Sequence, residues 1–324
     1  MRRARVGLAA LLAVVLLTAG CLGNPANLGR FFDGSTHTEP NPETGTCTNN
    51  DTGEVDVTVD NTVIDDLCLD GGTLVIDADN VTVQNSILKA SAPTFGFAIY
   101  VLDGSDNVTI RYNNIDCQGG LNEPDAAVIG IGGNSNTSGL FTRNEVAHCS
   151  DGINAQSNWT YSFNLINQPY NCDIVNVCDI HADGVQGQTE DDGSNLHDML
   201  FEWNNIDYPH ASSSFQFHNS AVPSEGWANV IVRYNQFRGG AAVLRLPSYD
   251  NGGLKLYGNR IGRLFPTPEG DEFFICTPFA NGTDPIDVWG RETGSTADYG
   301  NDGVFDDDNV NIEDGTTLTR EECE

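Results

Sequence analysis

Residues 107–115 have the sequence Asn-Val-Thr-Ile-Arg-Tyr-Asn-Asn-Ile. Apolar β-branched residues alternate with polar residues over the first half of this segment, which is the period-two pattern of a half-buried strand. An Asn-Asn pair, typical of a turn, then leads into the apolar Ile115. The segment therefore predicts a short strand, a turn and the beginning of a second strand.

The pattern Asn-x-[Ile/Val/Phe] that closes this segment occurs seven times, at intervals of 28, 31, 20, 40, 31 and 24 residues. Irregular intervals of this kind fit coils of constant core that carry loops of variable length. We expect the asparagines to occupy equivalent corners, to adopt the left-handed conformation that asparagine tolerates, and to form a side-chain ladder. The copies begin at Asn85, Asn113, Asn144, Asn164, Asn204, Asn235 and Asn259.

A second set of short β-type segments lies between most of these copies, and the mature chain shows no amphipathic helix of ordinary length. Coils made only of short strands bury their apolar side by stacking on their neighbours, so the pattern predicts an all-β solenoid. The second segments lie at 97–101, 127–131, 151–154, 183–186, 215–217 and 241–246.

The stretch His181-Ala-Asp-Gly-Val-Gln186 resembles the His-x-Asp-Gly-[Ile/Val]-Gln phrase of the pectate-lyase-like right-handed parallel β-helix superfamily. The resemblance spans residues 55–261 and includes the strand phrase at 107–115. It implies a single right-handed parallel β-helix with terminal caps, similar to exported bacterial and archaeal β-helix repeat proteins. It leaves the reaction open, because the fold hosts lyases, hydrolases, epimerases, esterases and non-catalytic adhesins.

The amino terminus has the features of an export signal. Arginines at positions 2, 3 and 5 precede an apolar run at 6–17, which predicts a signal peptide over 1–20. The small residues before Cys21 resemble the lipobox of prokaryotic lipoproteins, so Cys21 is the expected lipidation site; the alternative is an ordinary signal cleaved nearby. We expect the protein outside the cell, lipid-anchored to the membrane or secreted.

The mature chain divides into a tether and amino-terminal cap at 21–54, the β-helix at 55–264 and an acidic, disulfide-tied carboxy-terminal cap at 265–324. Removing Cys21 from nine cysteines leaves eight, an even number that favours disulfides in an exported chain. Proximity along the chain suggests three pairs, and the fourth follows by elimination. The expected disulfides are Cys47–Cys68, Cys172–Cys178, Cys276–Cys323 and Cys117–Cys149.

The charge of the chain is strongly negative, with 46 acidic and 15 basic residues and a formal net charge of −31. Such an excess resembles the proteins of salt-in halophiles, in which surface charge maintains solubility. It argues against nucleic acid as a partner, because phosphates demand a basic footprint. We expect a monomer that binds polysaccharide and meets the membrane only through its lipid anchor.

A candidate substrate surface follows from strand alternation. If Ile153, Val185, Phe215 and Leu244 face inward on successive coils, their following residues face outward with a step of ~4.8 Å. This polar ladder, together with His218, could bind sugar hydroxyls or carboxylates; the alternative is that its amides are only solvated. The ladder consists of Asn154, Gln186, Gln216 and Arg245.

Two reactions fit the residues around this ladder, whose candidate catalytic side chains are His181, Asp183 and Asp151. In β-elimination on a uronate, a cation or Arg245 neutralises the carboxylate while His181 takes the C5 proton. In hydrolysis, Asp151 and Asp183 act as a carboxylate pair. We expect a lyase first and a glycoside hydrolase second, acting on a glycan that contains uronic acid; the alternative is a non-catalytic glycan-binding or adhesive surface protein.

Calcium is the one cofactor that the sequence suggests. Asp179 is a candidate ligand, and residues 298–308 form an acidic loop with part of the EF-hand spacing. The EF-hand pattern fails at Gly300 and Asn309, and an acidic surface turn is the alternative.

Six Asn-x-Ser/Thr sequons would suit a glycosylated surface protein if the host has that machinery. They begin at Asn50, Asn80, Asn107, Asn136, Asn158 and Asn281.

Overall fold

The computed structural model describes residues 49–51, 53–90, 96–117, 129–133, 136–167, 183–187, 196–208, 213–217, 228–239, 242–246, 254–262, 274–278, 309–312, 315 and 317. Within these ranges the regular structure consists of 27 short strands in three sheets of ten, nine and eight strands. None of the described residues form a helix long and apolar enough to cross a membrane.

Sheet A has ten strands. They are β1 (Asn49–Asp51), β4 (Leu67–Asp70), β7 (Ile87–Lys89), β10 (Asn114–Asp116), β13 (Glu145–Ala147), β16 (Leu165–Asn167), β19 (Asn205–Asp207), β22 (Gln236–Arg238), β25 (Arg260–Gly262) and β27 (Val310–Asn311).

Sheet B has nine strands. They are β2 (Val55–Val57), β5 (Leu74–Ile76), β8 (Phe97–Val101), β11 (Ile129–Gly133), β14 (Asp151–Ala155), β17 (Asp183–Gly187), β20 (Ser213–Phe217), β23 (Ala242–Leu246) and β26 (Phe274–Pro278).

Sheet C has eight strands. They are β3 (Val63–Asp65), β6 (Thr82–Gln84), β9 (Val108–Arg111), β12 (Gly139–Thr142), β15 (Trp159–Ser162), β18 (His197–Glu202), β21 (Ala228–Arg233) and β24 (Leu254–Tyr257).

The chain passes through sheets B, C and A in turn, and one such passage is a coil. Over most of the chain each strand pairs in parallel with the strand three places further on, as β11 does with β14 and β14 with β17. Parallel strands joined by crossovers of this kind wind right-handed. The predicted all-β, right-handed parallel β-helix is therefore confirmed, and its sheets extend through β1, β26 and β27 into both segments predicted as caps.

The core is formed by inward side chains that stack from coil to coil. In sheet B the column runs through Ile99, Ile131, Ile153, Val185 and Phe215, none of which is more than 3 % exposed. Each side chain of this size contributes about 1.5–3 kcal/mol when it is fully buried. Because each column continues through its neighbours, the core is shared by all coils.

A buried asparagine ladder runs along the corner between sheets C and A. At the step from Asn164 to Asn204, the Oδ1 of Asn204 accepts hydrogen bonds from the backbone N and the Nδ2 of Asn164, at 3.0 and 2.9 Å. The Nδ2 of Asn164 also donates to the carbonyl of Phe141 at 2.9 Å. The same pair of hydrogen bonds recurs at each of the other steps between Asn113 and Asn309, so these asparagine side chains bond mainly within the ladder. Its members are Asn113, Asn144, Asn164, Asn204, Asn235, Asn259 and Asn309.

Three expectations about these asparagines need correction. Ser86, not Asn85, is in register with Asn113, and its backbone N donates to the Asn113 Oδ1 at 3.0 Å. Asn309, assigned above to a failed calcium pattern, is the last ladder member. From Ser86 to Asn259 the left-handed conformation belongs to the residue before the ladder position, as at Tyr112 with φ 56°, and not to the ladder asparagine.

These left-handed residues form an external column of stacked side chains. The rings of Phe163 and Trp203 lie 6.3 Å apart at 6°, and those of Trp203 and Tyr234 lie 4.9 Å apart at 27°. The guanidinium of Arg143 lies 4.9 Å from the centre of the Phe163 ring. Stacking of this kind is worth about 0.5–1.5 kcal/mol per pair and partly offsets the strain of a left-handed residue with a Cβ, about 1–2 kcal/mol.

The disulfide between Cys117 and Cys149 is present, with 4.8 Å between the Cα atoms on consecutive coils. Cys68 is also disulfide-bonded, to a partner outside the described residues. The pairs Cys172–Cys178 and Cys276–Cys323 and the lipidation site Cys21 lie wholly or partly outside the described residues and stay predictions.

Candidate functional site

The outer face of sheet B carries the polar column expected from the sequence. Asn154, Gln186 and Gln216 are neighbours in the register of β14, β17 and β20, and Arg245 occupies the next position in β23. Because the preceding residue on each of the first three strands lies in the core, these three side chains point outward. The side chain of Arg245 is outside the described part of the chain.

A second column on the same face begins with Asp151 and Asp183, the first residues of β14 and β17. A Cβ placed on Gly152 would meet the core side chain of Ile166 at 2.5 Å, so position 152 faces inward and Asp151 faces outward. Ser213 continues the column in β20, and its hydroxyl lies 3.1 Å from the Gln216 Oε1, which links the two columns. The two aspartates therefore begin strands, as the β-type segments at 151–154 and 183–186 predicted.

Hydrogen bonds connect the members of this second column. The backbone N of Asp183 donates to the Oδ1 of Asp151 at 2.8 Å. The hydroxyl of Ser213 donates to the Oδ1 of Asp183. Two carboxyl groups are thus held one coil apart, a distance of ~4.8 Å between neighbouring strands.

The electrostatics of the pair keep Asp151 protonated at neutral pH. Burial, followed by the negative charge of the nearby Asp183, raises the pKa of Asp151 to about 8, although the hydrogen bond from the Asp183 backbone lowers it. The charged form is disfavoured because burial removes water from the carboxyl group and because the negative charge of Asp183 lies nearby. Asp151 therefore has the protonation state of a proton donor at pH 7.

Tyr208 lies beside this pair. Burial, followed by the charges of Asp151 and Asp183, raises the pKa of Tyr208 well above its usual range. Its hydroxyl donates to the carbonyl of Cys149 at 2.9 Å, and the side chain is 0 % exposed. Neither Tyr208 nor Trp203, which lies in the external aromatic column, is placed to stack on a sugar at sheet B.

The site is covered in this structure. Asp151 is 7 % exposed, and Asp183 and Gln216 are 0 % exposed. Asn154 is the partly exposed member of the ladder. A sugar can contact Asp183 only after its surroundings move.

Three candidate residues, His181, His218 and Asp179, lie outside the described residues, so their roles stay predictions. In the described part of the chain no three metal-binding side chains come together. Ser213 was missed, although its place two residues before Phe215 matches that of Asp183 before Val185. No sequence pattern predicted that Tyr208 lies beside the two aspartates, because its position depends on how the corner between sheets A and B packs.

No family model and no curated protein matches the chain. A crystal structure of the Dettilon tailspike protein (gp208) is similar to it, with 12 % identity and a TM-score of 0.35. The match covers 67 % of this chain and 56 % of that one, so this chain corresponds to little more than half of the tailspike's length. Membership of the pectate-lyase-like superfamily stays a prediction.

Proposed function

We propose that this protein acts on a polysaccharide outside the cell and hydrolyses a glycosidic bond at the outer face of sheet B. The observation that carries the proposal is the pair formed by Asp151 and Asp183, in which one carboxyl keeps its proton up to a pH of about 8. Glycosidic hydrolysis needs such a proton donor beside a second carboxylate.

In the proposed reaction Asp151 donates its proton to the oxygen that leaves the sugar, and the Asp183 carboxylate attacks the anomeric carbon. Water then releases the sugar from Asp183, with Asp151 accepting the proton. Because the two aspartates begin adjacent strands ~4.8 Å apart, their carboxyl groups can adopt the ~5–5.5 Å separation of retaining enzymes, which is shorter than the ~6.5–9.5 Å of inverting enzymes. We therefore propose retention of configuration.

The amide ladder would hold the polymer beside this pair. Asn154, Gln186 and Gln216 can each donate to and accept from sugar hydroxyls, and Arg245 at the next register position suits a uronate carboxylate. The net charge of −31 would repel an anionic glycan at low salt. Because the Debye length falls to about 3 Å at 1 M salt, binding of a uronic-acid glycan should strengthen as salt rises.

Uronate lysis, placed first from the sequence, depends on His181 as the base, and His181 lies outside the described residues. Hydrolysis is supported by two side chains that the structure brings together, so we place it ahead of lysis. A non-catalytic glycan-binding protein is the second candidate, favoured by the complete burial of Asp183 and its hydrogen bond from Ser213.

Export is proposed on the signal peptide and Cys21, and it is supported by the disulfide between Cys117 and Cys149. Disulfides persist in oxidising compartments outside the cytosol. Lipid anchoring through Cys21 remains part of this proposal, as does action as a monomer.

The test is a panel of neutral and uronic-acid polysaccharides at high salt, with and without calcium, followed for reducing ends and for ultraviolet absorbance. Hydrolysis gives reducing ends without absorbance, lysis gives an absorbing unsaturated product, and a binding protein gives neither while retaining the glycan. Asp151→Asn and Asp183→Asn should each lower hydrolysis at least 100-fold. Asp77→Asn, which removes an exposed carboxylate just after β5 of the same sheet, should leave it unchanged.

A further inference from the structure

The corner between sheets B and C is occupied by a column of exposed polar residues. Asn80, Asn107 and Asn158 are in register there, each with a φ between 56° and 63°. All three are exposed. Each begins a sequon whose threonine lies two residues later on the outer face of sheet C. The threonines are Thr82, Thr109 and Thr160.

The fold accounts for the asparagines but not for the threonines. A left-handed corner favours asparagine in any coil, and Asn61 and Asn229 occupy the same corner with φ of 61° and 54°. Two residues after these stand Val63 and Ile231. The outward strand position thus accepts β-branched apolar residues, and threonine there is a feature that the coil does not require.

The sequons also occupy an unbroken block of coils. In the coil of β12, where Ser138 takes the register position, a fourth sequon begins two residues earlier at the exposed Asn136. Four consecutive coils, those of β6, β9, β12 and β15, therefore each present one sequon at this corner. The coils of β3, β18 and β21 on either side present none at it.

The amide nitrogens of the four asparagines differ in availability. The Nδ2 of Asn107 donates to the Asn80 Oδ1 at 2.8 Å, and that of Asn136 donates to the Asp103 Oδ1 at 3.1 Å. Among the described residues, the Nδ2 atoms of Asn80 and Asn158 donate no hydrogen bond. Asn80 and Asn107 are one coil apart, ~4.8 Å, which is too close for two sugar chains, whereas Asn80 and Asn158 are three coils or ~14 Å apart.

We propose that Asn80 and Asn158 are N-glycosylation sites and that sugar chains line the edge between sheets B and C. An exposed Asn-x-Thr in an exported protein is the acceptor for this modification. The Nδ2 forms a bond to C1 of a sugar, the bond from C1 to a lipid-linked pyrophosphate breaks, and the amide proton passes to a base of the transferase. The proposal rests on export and not on the activity proposed for sheet B.

The modification at Asn158 would place a sugar chain at the edge of the candidate site, because Asn158 follows Asn154 of the polar ladder by four residues. At Asn80 the acceptor oxygen used by Asn107 remains available after modification, since only the nitrogen is substituted. Both sites can therefore be occupied without breaking the contacts of the corner.

The test is peptide mass spectrometry with fragmentation that keeps glycans attached, on the full chain purified from its own cells. We expect glycan mass on the peptides of Asn80 and Asn158, none on Asn61 or Asn229, and no molecule modified at both Asn80 and Asn107. Recovery of the Asn80 and Asn158 peptides wholly unmodified, or modification confined to Asn107 and Asn136, would overturn the proposal.

Matched variants separate sequon chemistry from the shape of the corner. Thr160→Val should abolish glycan mass at Asn158 while the protein still folds, because Val63 occupies the equivalent position in another coil. Thr160→Ser should keep the modification. Equal glycan mass at Asn158 in all three proteins would show that the attachment does not use the sequon and would contradict the proposal.

Discussion

Two columns of amide side chains run along this β-helix, and they differ in how regularly the residue repeats and in which groups lie beside it. In the buried ladder the same residue recurs on seven coils and bonds mainly to its own neighbours and to the backbone. On the outer face of sheet B the residue changes from Asn154 to Gln186 and Gln216, beside two buried carboxyl groups. The repeated asparagines of the buried ladder therefore indicate a structural role. The varied amides on sheet B, which lie beside two buried carboxyl groups, indicate a functional one.

The largest effect should come from the repeated ladder. Asn113→Ala leaves the backbone N of Ser86 and the carbonyl of Val83 without their partners in a buried corner. At about 1–3 kcal/mol for each of these two groups, the free energy of unfolding should fall by about 2–6 kcal/mol. Urea denaturation measures the loss.

The neighbouring asparagine provides the control. Asn114 stands on the partly exposed outer side of β10, so Asn114→Ala should change the free energy of unfolding by less than about 1 kcal/mol. Similar losses for the two variants would remove the distinction between ladder and surface.

The next effect concerns the carboxyl pair and depends on pH. Because the pKa of Asp151 is about 8 in the folded chain and near 4 when unfolded, the folded state holds an extra proton between those values. Its contribution to stability is complete below pH 4 and is lost as pH rises to 8, by up to about 1.4 kcal/mol per pH unit. Urea unfolding at pH 5 and pH 8 should show the wild type losing stability and Asp151→Asn losing much less. If the two proteins lost the same free energy of unfolding between pH 5 and pH 8, Asp151 would be ionised in the folded state.

The smallest effect tests the external aromatic column. Phe163 has φ 57°, and Gly258 holds the equivalent position on a later coil. Phe163→Ala should cost about 1 kcal/mol in lost stacking. Phe163→Gly should cost less than Phe163→Ala, because glycine adopts a left-handed conformation without strain. The reverse order in thermal unfolding would show that the strain at this corner is negligible.

The sequence predicted the fold because the Asn-x-apolar pattern recurs along the chain. It predicted less about features that are determined by contacts between coils. The ladder was visible in the repeated Asn-x-apolar pattern. The shift from Asn85 to Ser86 was not, because Asn85-Ser86-Ile87 matches the pattern, and only the pairing of Ile87 with Asn114 shows that it is one residue out of register. Tyr112 and Trp203 are bulky residues that rarely adopt a left-handed conformation, so their positive φ could be found only from the stacking on neighbouring coils.

The candidate site was predicted in part for the same reason. The repeated Asp-Gly at 151–152 and 183–184 placed two carboxyl groups at equivalent positions, and the structure holds them on adjacent strands. Their burial could not be foreseen, since strand alternation predicts only the face on which a side chain lies. Without that burial neither the raised pKa of Asp151 nor its role as a proton donor follows.

The most direct test of the account is a titration of the Asp151 carboxyl carbon by NMR, in the wild type and in Asp183→Asn. The account predicts an apparent midpoint near pH 8 for the wild type and a lower one in Asp183→Asn, because that change removes the neighbouring negative charge. A midpoint near pH 4 in the wild type would contradict it, because Asp151 would then have no proton to donate at neutral pH.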